Sequence, residues 1–160
     1  MDIQRFTQES IRQKQVNKAF YEKLKREKPK LLDNYFHSAH KDTFESTDCL
    51  TCANCCKTTS PLFTQHDIDR LAKALKMKPS QFFSTYLKVD EDGDYVLKSS
   101  PCPFLGADNY CSVYADRPSA CREYPHTNRK RMVQILDITF RNTLVCPAVL
   151  NITEKLKKLL

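Results

Sequence analysis

The run CLTCANCC at residues 49–56 constrains this chain more than any other feature. It places Cys49, Cys52, Cys55 and Cys56 within eight positions, and Cys102, Cys111, Cys121 and Cys146 complete a set of eight cysteines in 160 residues. Nothing at the start of the sequence (Met-Asp-Ile-Gln-Arg-Phe) reads as the apolar stretch of a signal peptide. No run of about 18 apolar residues offers a transmembrane helix. The expected setting is therefore the cytoplasm, where thiols stay reduced, and eight cysteines do not read as four disulfides. Thiolates are also metal ligands, and a dense cysteine cluster in a reducing compartment points to that use.

Three thiolates at C-x2-C-x2-C spacing can converge on one small centre. This spacing opens a bacterial ferredoxin cluster site, whose fourth cysteine comes from further along the chain and is followed by Pro. Cys102-Pro103 and Cys146-Pro147 both have that form. A cysteine opening a helix, as Cys146 does before Pro147, is also placed where the helix dipole favours a thiolate. Adjacent residues of an extended chain point to opposite sides, so Cys55 and Cys56 would serve two different sites, or one of them would cap a multinuclear cluster. A concrete division gives Cys49, Cys52, Cys55 and Cys146 to one site and Cys56, Cys102, Cys111 and Cys121 to the other. Iron–sulfur, with [4Fe–4S] favoured, is preferred over Zn²⁺. Zinc knuckles usually pair one C-x2-C with another, whereas the later cysteines here come singly. Zinc nevertheless stays open.

The formal charge of +7 invites a nucleic-acid reading. Metal-bound thiolates are deprotonated, and two four-thiolate sites would each contribute about −2, which leaves about +3. Nucleic acid is accordingly not expected as a partner, nor is a membrane. With only Gly93 and Gly106 in the chain, neither a P-loop nor a G-x-G-x-x-G turn can be built.

Among other candidate groups, His37 and His40 would share a helix face and could bind metal, although surface positions are the commoner use of such histidines. His126, just beyond Cys121, is better placed for a role at the site. Arg117 and Arg122 flank Cys121 and could offset thiolate charge; an ordinary surface salt bridge is the equal alternative. Arg129, Lys130 and Arg131 read as a solvated turn.

The fold expected is α+β and mainly helical, a small metal-stapled domain with a short β-hairpin and extensive irregular loops. Residues 1–45 form an N-terminal helical segment, and 46–160 the cysteine-cluster metal-binding domain. Val16, Ala19, Phe20 and Leu24 recur at helical spacing and predict an amphipathic helix over about 7–28, broken by Pro29. A second short helix carries Leu31, Leu32, Tyr35 and Phe36. The cysteine-dense stretch 49–56 reads as a loop. Thr64 with Asp67 predicts a capping box before Ile68, Leu71, Ala72 and Leu75. Pro79 opens a helix with Phe82, Phe83 and Tyr86 inward, and 86–98 reads as a hairpin around Asp92-Gly93. Asp116 is the expected N-cap of a helix starting near Arg117-Pro118. Residues 132–140 fit strand or helix, and Cys146-Pro147 opens a last helix.

The chain resembles a known family at these residues. CLTCANCC, PCPFL at 101–105, CSVYADRPSACREYP at 111–125 and the final Cys146-Pro147 are similar to the YkgJ-like CxxCxxCC cysteine-cluster family, described as zinc- or iron-chelating. The resemblance implies that all eight cysteines correspond to metal-ligand positions, in a bacterial-type cytoplasmic protein. Ala53 departs from it, standing where the family often has Gly. A flagellin lysine methylase is similar in its cysteine motif, which keeps an enzyme reading open.

The expected function is metal binding, with an iron–sulfur cluster serving an oxidoreductase or electron-transfer component. The alternatives are a structural zinc module presenting a protein- or nucleic-acid-binding surface, and a cluster-dependent protein-modifying enzyme. The apolar face of the N-terminal helix most often packs on the core; the alternative is a partner-binding or dimer helix, through which a protein partner would bind.

Overall fold

The structure is a computed structural model that describes residues 2–160. In chain order its elements are α1 (Ile3–Leu24), α2 (Pro29–Phe44), α3 (Cys49–Cys52), α4 (Asn54–Thr58), α5 (Gln65–Ala74), α6 (Pro79–Tyr86), β1 (Leu87–Val89), β2 (Tyr95–Leu97), α7 (Ser119–Glu123), α8 (Leu136–Asn142) and α9 (Pro147–Leu159), with short 3₁₀ turns at Tyr114–Asp116 and Met132–Ile135. The fold is α+β and mainly helical, with one two-stranded antiparallel hairpin among the described residues. No described helix is long and apolar enough to cross a membrane. The chain divides into two compact units: Met1–Cys52 with Pro125–Leu160, and Ala53–Tyr124.

The first unit is helical. Asp2 caps α1, its Oδ1 accepting the N–H groups of Gln4 (2.9 Å) and Arg5 (3.1 Å). Pro29 does more than end the expected 7–28 helix. It occupies the first turn of α2, where its fixed φ and missing N–H cost nothing. The core joins Tyr21 and Leu24 of α1, Leu32, Phe36 and Ala39 of α2, Met132, Ile135 and Leu136, and Ile152 and Leu156 of α9. The stretch 132–140, ambiguous in sequence, is thus a 3₁₀ turn running into α8. Tyr21 is almost wholly buried and its hydroxyl donates to Thr153 Oγ1 (2.9 Å), while burial pushes the phenol up. Asp33 of α2 accepts the backbone N–H groups of Arg131 and Met132, both at 2.8 Å, which fixes the entry to the 3₁₀ turn.

The second unit packs α5 and α6 against the hairpin. Its core is Phe63, Ile68, Leu71, Ala72, Phe82, Leu87, Leu97, Phe104 and Val113, with Cys102 and Cys111 against its edge. The Phe82 and Phe104 rings stack with centroids 6.2 Å apart. Leu87 pairs with Leu97 and Val89 with Tyr95. In the connecting turn, Asp90 Oδ1 accepts the N–H groups of Asp92 (3.0 Å) and Asp94 (2.9 Å), and Gly93 takes φ +85°, which few other residues tolerate.

The stretch 49–56 is not a loop. It forms two short helical turns, α3 and α4, separated by Ala53 in the left-handed conformation (φ 47°, ψ 19°). Local bonds drive this: Asp48 Oδ1 accepts the Leu50 N–H (2.9 Å), and the hydroxyls of Thr51 and Thr58 donate to the carbonyls of Asp48 and Asn54. The left-handed residue is also a physical reason for glycine at this position, since alanine carries a Cβ penalty of about 1 kcal/mol there. Ala53→Gly is expected to raise stability by about that amount in urea denaturation. An unchanged or lowered midpoint would contradict the strain.

Candidate metal centre

Among the described residues none of the eight cysteines is in a disulfide. Cys55 and Cys56 lie on α4, so their side chains diverge by about 100° around a helix axis and do not point to opposite sides. The Cys55 thiol donates a hydrogen bond to Cys56. That bond and the nearby Lys57, against the opposing effect of burial, bring the Cys56 thiol down to about 7.

In the second unit, Cys56, Cys102, Cys111 and Cys121 lie close enough to act on one another electrostatically. The Cys102 N–H donates to the Cys56 carbonyl at 2.8 Å, which ties α4 to the 102–113 segment. That segment folds back on itself through a bridge between Leu105 and Cys111 and through Ser112 N–H to Phe104 O (2.8 Å) and Gly106 N–H to Tyr110 O (2.8 Å). A Cβ at Gly106 would meet Asp108 Oδ1 at 2.7 Å, pushing that side chain off its bond with the Tyr110 N–H, and would crowd the Tyr110 carbonyl at 3.3 Å. Burial pushes the Cys102 and Cys111 thiols up, and Cys56 pushes each further when ionised. Backbone N–H groups of Phe104 and Leu105 at Cys102, and of Val113 at Cys111, pull the other way. Burial drives Cys121 up to about 12, with Cys56, Cys102 and Cys111 adding to it and Arg117 opposing.

Cys121 is positioned from a distance. Asp67 is wholly buried and forms the expected capping box with Thr64. Its Oδ1 also accepts from Arg70 Nη2 (2.8 Å) and from the N–H (3.1 Å) and hydroxyl (3.2 Å) of Ser119, the first residue of α7. Arg70 donates in turn to the carbonyls of Asp116 (3.2 Å) and Arg117 (2.9 Å). Asp116 is therefore not the cap of α7; it lies in a 3₁₀ turn, and Asp67 serves the helix start instead. Burial alone would raise the Asp67 carboxyl. The bonds from Thr64, Arg70 and Ser119 outweigh it and hold it well below the usual carboxylate range.

The first unit holds Cys49 and Cys52 on α3, and Cys146 as N-cap of α9. The dipole argument for Cys146 is only part of the balance. Burial raises its thiol to about 11 although the N–H groups of Val149 and Ala148 donate to it, and Cys49 and Cys52 push it further up.

Of the other candidates, His37 Nε2 donates to the Arg129 carbonyl (2.8 Å), and His40 Nδ1 bonds Thr127 Oγ1 (2.8 Å) with its ring against Phe44. Both histidines brace the 127–129 segment. Arg117 lies with its guanidinium 3.9 Å from the Tyr114 ring centroid and donates to the Tyr114 carbonyl at 2.7 Å, so it acts on Cys111 and Cys121 as a nearby charge. Arg122 donates to the Ala115 carbonyl at 3.4 Å. His126 takes a left-handed φ of 64°. The Asp67–Arg70–Ser119 link was the contributor that sequence reasoning missed, because only its capping-box half is local.

Among the described residues no three Cys, His, Asp or Glu side chains stand ready-made around a metal position. The donor chemistry nevertheless fits one. Thiols that raise one another's pKa would repel as thiolates, and a cation in their midst reverses that sign. Asp67→Asn is expected to cost about 3 kcal/mol in urea denaturation at pH 7, since it strands Arg70 and Ser119. Because the folded-state pKa is depressed, this stabilisation is present above about pH 4 and is lost as pH falls from there. The gap between wild type and variant should therefore narrow steadily as pH falls below about 4 and still be present in part at pH 3, because the folded carboxylate stays ionised there. A gap as large at about pH 2 as at pH 7 would refute the ionised network.

The profile of the CxxCxxCC family, described as "Putative zinc- or iron-chelating domain", matches residues 48–143. No curated protein and no solved structure gives a significant match. The matched span runs from the residue before Cys49 to beyond α8 and includes every cysteine but Cys146, so the chain belongs to the CxxCxxCC family.

Proposed function

We propose that the protein holds an iron–sulfur cluster on its cysteine thiolates and serves one-electron transfer, as an electron carrier or as a component of an oxidoreductase in a reducing, cytoplasm-like compartment. The observation that carries this reading is the second unit's quartet. Cys56, Cys102, Cys111 and Cys121 act on one another electrostatically, and backbone N–H groups donate to the sulfurs of Cys102 and Cys111. These four would supply the thiolates of one four-sulfur site, and Cys49, Cys52 and Cys146 would supply thiolates from the first unit. When bound, a cluster supplies reversible one-electron chemistry. With a cluster bound, N–H donors on sulfur and the nearby charge of Arg117 would favour the more negative, reduced state and so raise the reduction potential.

The C-x2-C-x2-C run with remote Cys-Pro pairs supports iron over zinc. Zinc is the second reading, because four thiolates also make a closed structural zinc site, and that protein would be a scaffold. Metal analysis with an absorption spectrum on protein purified without oxygen separates the two. Iron with acid-labile sulfide and a broad band near ~400 nm is the expected result. Colourless protein with stoichiometric zinc would overturn the iron–sulfur reading.

A further inference from the structure

The net charge is carried by one unit alone. Met1–Cys52 with Pro125–Leu160 carries seventeen Lys and Arg against ten Asp and Glu, whereas Ala53–Tyr124 carries nine of each. The whole +7 therefore resides on the helical unit. Thiolates formed in both units would lower the charge of each and leave the helical unit the more basic of the two.

Helix α1 shows how this charge is displayed. Phe6, Ser10, Asn17, Tyr21 and Leu24 form its buried side. Its two acids are already neutralised by neighbours: Glu9 by Arg12 at 2.7 Å and Glu22 by Lys25 at 2.8 Å. On the outward side, spacings of three, four, seven and eleven residues align Ile11, Lys14 and Lys18 along one line and Arg5, Val16 and Lys23 along a second, with Arg12 already paired to Glu9. Each line thus sets one apolar residue among cations. Ile11 is 65% exposed and Val16 61% exposed, the two most exposed large apolar side chains among the described residues.

We propose that the outward face of α1 docks an acidic surface of a partner protein. Carboxylates would meet the Lys and Arg rows, and apolar side chains of the partner would cover Ile11 on one line and Val16 on the other. A phosphate backbone would gain nothing from Ile11 and Val16, and the α1 aromatics Phe6 and Tyr21 are buried, so no ring is offered to a base. Ile11 and Val16 lie on different lines of the helix and form no continuous apolar stripe for a bilayer. The proposal stands independently of the metal reading, and either can fail without the other.

The test titrates the full-length protein against a fluorescein-labelled amphipathic peptide of Glu and Leu. A labelled duplex DNA and phosphatidylserine-containing vesicles serve as competing probes, at about 50 and 300 mM salt. The peptide is expected to bind more tightly than duplex or vesicles and to lose about tenfold in affinity at the higher salt. A similar loss is expected for Lys14→Gln with Lys18→Gln and for Ile11→Ser with Val16→Ser, with unchanged circular dichroism. Lys73→Gln with Lys76→Gln, on the neutral unit, should leave binding intact. Tighter binding of duplex or vesicles, peptide binding indifferent to the α1 substitutions, or no peptide binding at low salt would each overturn the proposal.

Discussion

The constraint on which the rest depends is that half-buried thiols set near one another cannot all ionise without a cation. Cys121 at about 12 and Cys146 at about 11 state this most strongly, and in both cases burial leads and neighbouring cysteines add to it. The chain does little to offset the penalty with its own charges. Arg117 opposes it at Cys111 and Cys121, Lys57 acts at Cys56, and otherwise backbone N–H groups aim at sulfur. A metal bound by thiolates removes the repulsion and adds cross-links between segments far apart in sequence, such as 56 and 121, or 49 and 146. Membership of a zinc- or iron-chelating family and the electrostatics of the thiols thus point the same way.

The scaffolds of the two units carry these thiols by different means. In the second unit, a buried carboxylate binds α5 to the start of α7, and a folded-back segment pinned at Gly106 presents Cys102 and Cys111. In the first unit, Cys146 opens α9, a helix whose apolar side is sunk in the core through Ile152 and Leu156. Both arrangements hold sulfur on elements anchored by packing or by satisfied buried polar groups, which limits how far the thiols can separate.

Much of the fold was legible because its signals are local. Pro79 and Pro147 each open a helix, Pro29 ends the reach of the first, Thr64 with Asp67 forms the capping box, and the Asp90–Asp94 turn closes the hairpin. What was not legible depends on distant partners or on an uncommon backbone state. The Cys49–Cys56 run forms two helical turns joined through Ala53 in the left-handed conformation. The start of α7 is held by a residue 52 positions earlier and not by Asp116. The ligand candidates were visible as a set, since cysteine density is a compositional signal. Which thiols act on one another could not follow from spacing, because it depends on how α3, α4, α7 and α9 are placed.

The central claim, that these thiols are held by metal, is tested most directly by counting reactive thiols in native protein purified without oxygen, before and after adding a strong chelator. Metal-held thiols should react slowly or not at all at first, and all eight should react once the metal is stripped and the chain unfolded. Immediate reaction of all eight in the native protein, with no change on chelation, would contradict it.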